Sequence, residues 1–187
     1  IIYNGDENVH KKIIIFIFII ILLIILPLKP NRQNINIPIL LYHDFVLKIP
    51  DEDPDNFNYI NTPESFEENI KTLLKNGFTF LSFRDLNDAY FNKKKLPSKP
   101  ILITFDDGYY SNYEFIFPIL KKYNVKASIF IVTDNMGKTV SGKQYLTWEQ
   151  CKSMQDSNLV EIFSHSTKHV FYNKLPIYEL QEDLKNS

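Results

Sequence analysis

The 187-residue sequence holds one cysteine, Cys151, so neither an internal disulfide nor a cysteine-built zinc cluster can form. It also lacks a surplus of charge of either sign. Lys and Arg number 21 against 22 Asp and Glu, a net charge of −1. The basic footprint of a nucleic-acid-binding surface is therefore missing, and no nucleic-acid partner is expected. No internal repeat is present, and the one low-complexity tract lies near the front. The remaining composition points to a folded chain. With 44% hydrophobic, 14% aromatic and 23% charged residues, it has enough apolar surface for a core. The length suits one domain with an appendage.

The appendage is residues 1–36. Ile13 to Leu26 is an unbroken apolar run, followed by Pro27 and Leu28. As a helix those fourteen residues would reach ~21 Å, short of a ~30 Å bilayer core. Lys11 and Lys12 precede the run as in an export signal, and no small-x-small cleavage site follows. A buried core helix is the weaker reading, because the run has no polar face. The expectation is a flank over 1–12, an uncleaved signal-anchor over 13–28 and a polar linker over 29–36. A membrane-anchored, extracytoplasmic domain would follow, with secretion after cleavage as the alternative. Lys11 and Lys12 balance Lys29 and Arg32, so charge counting leaves the orientation open.

From residue 37 apolar runs of strand length alternate with helical spacing. Strands are expected at 37–42, 78–82, 101–105, 127–132 and 159–163. The first helix opens at Thr62-Pro63-Glu64-Ser65 and stops at Gly77. Further helices are expected over 84–91, over 110–124 despite Pro118, from a Thr147/Gln150 capping box, and over 177–185. Residues 44–62, 93–99 and 133–146 read as loops. Trp148 is expected to pack at a helix start and Cys151 to be buried. Alternating strands and helices predict an α/β fold on a parallel sheet, open or closed into a barrel.

Two polar constellations lie just past strands. Thr104-Phe105-Asp106-Asp107-Gly108 puts two acids at a strand's carboxyl end, where parallel α/β folds carry their sites. Alone it could be a turn, since Asp-Asp-Gly is ordinary turn chemistry. His165-Ser166-Thr167-Lys168-His169 places two imidazoles four apart after the fifth strand. Alone they could be exposed loop histidines. Together the sites share one mouth, and two histidines plus one aspartate make a three-ligand metal site with an open position. The second aspartate would then be free to act as a base.

The stretches Ile101 to Tyr113, Phe117 to Tyr123, Ala127 to Val132, Leu146 to Gln150 and Val160 to His169 resemble the polysaccharide deacetylase family (NodB-homology domain, carbohydrate esterase family 4). Pro38-Ile-Leu-Leu-Tyr-His43 resembles that family's first strand. The resemblance spans 37–187. It implies a distorted (β/α) barrel and hydrolytic removal of N-acetyl groups from a polysaccharide, N-acetylglucosamine polymers first. It implies Asp106 as general base and Asp107, His165 and His169 as ligands of one divalent ion: zinc first, then cobalt, nickel or manganese. Tyr109 is a candidate sugar contact, and Tyr110 could be either groove or core. The family's late Arg-Pro, Asp-Trp and Leu-x-His motifs do not occur before Ser187, so an incomplete barrel of about five strands, inactive on its own, is expected. His43 is read as packing or supporting, with catalytic acid as the alternative. Phe163 replaces a glycine usual in the family, which puts local packing in question. The competing function is a catalytically silent, membrane-anchored glycan- or metal-binding domain.

Overall fold

The computed structural model describes residues 36–49 and 59–187. The expected flank, signal-anchor and most of the linker lie outside the described residues. Among the described residues, no helix is long and apolar enough to cross a membrane. One compact unit runs from Ile37 to Ser187.

The central strand is β5, Pro100–Phe105, buried at all six positions. A strand with a covered surface on both faces reads as a continuous apolar run rather than an alternating one. Parallel to it lie β1 (Ile39–Tyr42), β6 (Ala127–Ile131) and, beyond β6, β9 (Val160–Ser164), in the order β1-β5-β6-β9. The short strand β4, Thr79–Phe80, joins β5 at its start, with Thr79 opposite Pro100. These are the five strands the sequence predicts. No pairing closes them into a barrel among the described residues. One consequence is visible on β1, where Ile39 and Leu41 are more than half exposed.

Three of the helices begin at side-chain caps. In α1 (Pro63–Lys75) the Thr62 side chain accepts from the Ser65 N–H, and Pro63 occupies the first turn. In α4 (Trp148–Asp156) Thr147 and Gln150 form the expected capping box. The helix α2 (Phe83–Phe91) has a second box, from Ser82 and Asp85. The helix expected over 110–124 is two pieces: a π-helical turn at Asn112–Ile116, then α3, Phe117–Tyr123. That break puts Pro118 in the first turn of α3, where its missing N–H has no partner to lose. The last helix, α5, is Ile177–Asn186.

Under the sheet, Phe66 and Ile70 of α1 pack with Tyr42, Phe45 and Phe105. The rings of Tyr42 and Phe66 meet edge to face at 5.2 Å, and Tyr42 stacks on Phe105 at 5.8 Å. Cys151 is buried in the same core as expected, and burial pushes its thiol up to about 11. It is a packing residue, not a nucleophile. Three expectations need correction. Trp148 begins α4 but is 57% exposed, because the capping box, not the indole, fixes that helix start. The loop 44–62 contains β2 (Asp44–Phe45) paired with β3 (Ile60–Asn61). The loop 133–146 contains an antiparallel hairpin, β7 (Thr139–Val140) and β8 (Lys143–Gln144). Two-residue strands are too short to show periodicity. Phe163 is accommodated by stacking on Phe130 at 5.3 Å and meeting Phe83 edge to face.

The turn after β5 sets the direction of the acidic pair. Asp107 and Gly108 are both left-handed, at φ 71° and 79°. A Cβ on Gly108 would sit 2.8 Å from Ile131 Cγ2 and 3.3 Å from the Ile131 Cα. Strain and clash therefore act together, with backbone among the clashing atoms. Gly108→Ala is expected to destabilise the protein by ~1–3 kcal/mol, read as a lowered urea midpoint. A midpoint within error of wild type would show that β5 and β6 can separate without cost.

Candidate metal centre

Consecutive strand residues face opposite ways, so Asp106 and Asp107 could not share a mouth on regular β geometry. The left-handed backbone at Asp107 solves this. Asp106 still pairs like a strand residue, its N–H donating to the Tyr42 carbonyl at 2.9 Å. Asp107 turns, and its carbonyl accepts from the Val132 N–H. The Gly108 carbonyl then accepts from the Leu146 N–H, and the Tyr110 N–H donates to the Gln144 carbonyl, which ties the hairpin to the turn.

The histidines lie on the loop after β9. The His165 N–H donates to the Ile131 carbonyl at 2.8 Å, extending the sheet by one bond. Ser166 and His169 are left-handed, at φ 72° and 56°. The Ser166 hydroxyl accepts from the His169 N–H at 2.9 Å. The four-residue spacing thus works across a tight loop, not along a helix face.

Three side chains converge. His169 Nε2 lies 3.2 Å and His165 Nε2 3.7 Å from Asp107 Oδ1, and the imidazole centroids are 5.1 Å apart. One ligand atom from each of Asp107, His165 and His169 lies within 4.8 Å of the others. Asp107 is 7% exposed, and its Oδ1 is buried without a hydrogen-bond partner. An unpartnered buried carboxylate oxygen is costly, ~1–3 kcal/mol or more. A cation between it and two imidazole nitrogens would satisfy all three, so the donor set fits a divalent ion.

Asp106 lies beside this group, with Oδ2 4.0 Å from His165 Nε2. Burial pushes its carboxyl above the ordinary value, and the Asp107 charge adds to that; His165, His43 and His169 oppose it. His43 directly follows β1, one step past the Tyr42–Phe105 pair, and so stands level with Asp106. Its ring meets Tyr59 edge to face at 4.9 Å. The sequence alone favours packing for His43; the register places it at the mouth.

Tyr109 lies at the rim, its ring 5.0 Å from that of Tyr145 and under Lys143 Nζ at 4.7 Å. Burial, helped by the Asp107 charge, pushes its phenol far up, so it stays protonated. Tyr110 is half-buried. A brace beneath the rim has no counterpart among the sequence expectations. Ser111 donates to Asp44 Oδ1 at 2.8 Å and accepts from the Phe45 N–H at 3.1 Å. Lys143 pairs with Asp44 Oδ2 at 3.1 Å. No spacing signal links residues 44, 111 and 143; only the fold brings them together.

The chain is similar to known proteins. The chain is 35% identical over 152 residues to YxkH of Bacillus subtilis (strain 168), matching 81% of this chain and 50% of that protein. It is 31% identical over 110 residues to the poly-beta-1,6-N-acetyl-D-glucosamine N-deacetylase of Staphylococcus epidermidis, matching 58% of this chain and 38% of that one. The chain thus spans about half or less of the length of these relatives. Among solved structures, the Streptococcus pyogenes deacetylase PplD, determined in complex with acetate, superposes with a TM-score of 0.70 at 28% identity. That match covers 83% of this chain and 67% of PplD. The polysaccharide deacetylase family model matches residues 93–187, which hold both aspartates and both loop histidines. The chain belongs to the polysaccharide deacetylase family.

Proposed function

We propose that this domain hydrolyses N-acetyl groups on a polysaccharide, with N-acetylglucosamine polymers as the substrate class. The observation that carries this reading is the convergence of Asp107, His165 and His169 beside a carboxylate, Asp106, that is left free. The S. epidermidis relative named for such a polymer supports the substrate class, and the acetate held by PplD is the acid such a reaction would release.

Asp107, His165 and His169 would hold one divalent ion, zinc first. Such an ion supplies a Lewis acid for the amide carbonyl and makes a water molecule more acidic. Asp106, beside the three ligands and not one of them, accepts the proton of the attacking water. The water oxygen bonds to the carbonyl carbon, and the carbon–nitrogen bond breaks. The departing nitrogen needs a proton, and we assign its donor to His43, level with Asp106 at the same mouth. Acetate and a free amine on the sugar result. Tyr109, half-buried at the rim, offers aromatic surface beside Asp107 against which a pyranose ring could lie. The apolar run 13–28 would tether the domain to a membrane on the extracytoplasmic side, a reading that rests on sequence alone.

In a full-length version of the protein, Asp106→Asn is expected to cut acetate release from N-acetylglucosamine oligomers by ~10²–10⁴-fold while bound metal stays at the wild-type level. Retained turnover would remove Asp106 as base; lost metal would make it a ligand. Metal binding without acetate release in the full-length wild type would favour a silent glycan-binding domain. His43→Gln is expected to lower kcat by ~10²-fold or more with KM little changed. An unchanged kcat would return His43 to a packing role.

A further inference from the structure

We propose that Asp183 is a positioning residue that clamps the histidine loop in its metal-binding shape. This rests on the reading of His165 and His169 as ligands. Asp183 lies on α5, sixteen positions beyond Thr167, and is 7% exposed. Thr167 is the middle residue between the two histidines. Its N–H donates to Asp183 Oδ2 at 3.0 Å, and its hydroxyl donates to the Asp183 carbonyl at 2.8 Å. Tyr172, on the loop's exit, donates its hydroxyl to the same Oδ2 at 2.7 Å. One buried residue therefore holds the centre of the loop twice and its exit once.

The opposite edge of the loop is held from the sheet side. The Thr133 and Asp134 N–H groups donate to the Ser166 and Thr167 carbonyls at 3.2 and 3.0 Å. The clamp opposes a real restoring tendency. Ser166 and His169 are left-handed, a conformation that non-glycine residues avoid. Such a conformation persists only where its surroundings over-determine it. Bonds to a carboxylate are the strong kind, so Asp183 is the largest single element of that determination. Without that carboxylate, the Thr167 N–H and the Tyr172 hydroxyl would lose their acceptor. The loop would then relax, and the imidazoles would lose their common focus on Asp107.

The test is zinc affinity, measured on the purified protein by competition with a chromophoric chelator, together with amide hydrogen exchange at Thr167. Asp183→Asn and Thr167→Val are each expected to weaken zinc binding ~10–100-fold, the range for groups that orient metal ligands. Thr167 exchange should accelerate in Asp183→Asn while circular dichroism at the same temperature matches wild type. Thr167→Ser, which keeps the hydroxyl donor, should bind zinc as wild type does. His165→Ala serves as the reference for the ligand reading. If wild type and His165→Ala bind zinc equally, the ligand reading fails. If His165→Ala loses zinc but Asp183→Asn and Thr167→Val bind normally, the clamp fails and Asp183 only docks α5. Should Asp183→Asn not fold, the contrast between Thr167→Val and Thr167→Ser decides.

Discussion

A carboxylate oxygen buried without a hydrogen-bond partner is the constraint around which this molecule is arranged. Asp107 Oδ1 is taken out of water at the carboxyl end of the most buried strand, and imidazole nitrogens of two histidines stand within 4 Å of it. Its position costs twice. The oxygen gives up solvation, and the Asp107 backbone adopts a left-handed conformation that non-glycine residues avoid. Neither cost would persist in a marginally stable domain unless the surroundings enforced it. The enforcing surroundings are visible. Gly108 packs its backbone against Ile131, Val132 and Leu146 bind the turn's two carbonyls, and the aromatic core fixes β5 beneath.

The same constraint explains why two neighbouring acids can have different chemistry. Asp106 keeps the strand's pairing, whereas Asp107 breaks the alternation and turns inward. One becomes the buried partner of the histidines, and the other is left beside them with a raised carboxyl. A regular strand end would have put them on opposite faces, and no joint site would exist.

Much of this was legible in the sequence because it is carried by short-range signals. The five strands appeared as apolar runs, and Thr62-Pro63 and Thr147/Gln150 announced two helix starts through their capping chemistry. The aspartate pair and the histidine pair were legible as types at strand ends. The illegible features depend on neighbours distant in sequence. The π-helical turn before Pro118, the brace from Asp44 through Ser111 and Lys143, and the bonds from Thr167 to Asp183 join segments with no common periodicity. The position of His43 was hidden for the same reason. Its meaning comes from the parallel register of β1 on β5, which sets it level with Asp106, and register is a property of two strands rather than one. Trp148 was misread because an aromatic residue at a helix start suggests packing, whereas the cap there needs no ring.

The division of labour between the two halves of the site comes from where each is anchored. The aspartates are fixed by the sheet itself, through the central strand and the turn that ends it. The histidines are fixed by a loop, and loops hold strained conformations only while outside groups hold them. Exposure reflects this: the Asp107 side chain is 9% exposed, those of His165 and His169 33% and 56%. The carboxylate at the base is therefore held by the sheet, while the imidazoles at the rim are the part of the site open to solvent. Solvent therefore meets the site mainly on the histidine side. The bonds that hold the loop onto the sheet on one edge and onto Asp183 on the other then decide how well the rim meets the base.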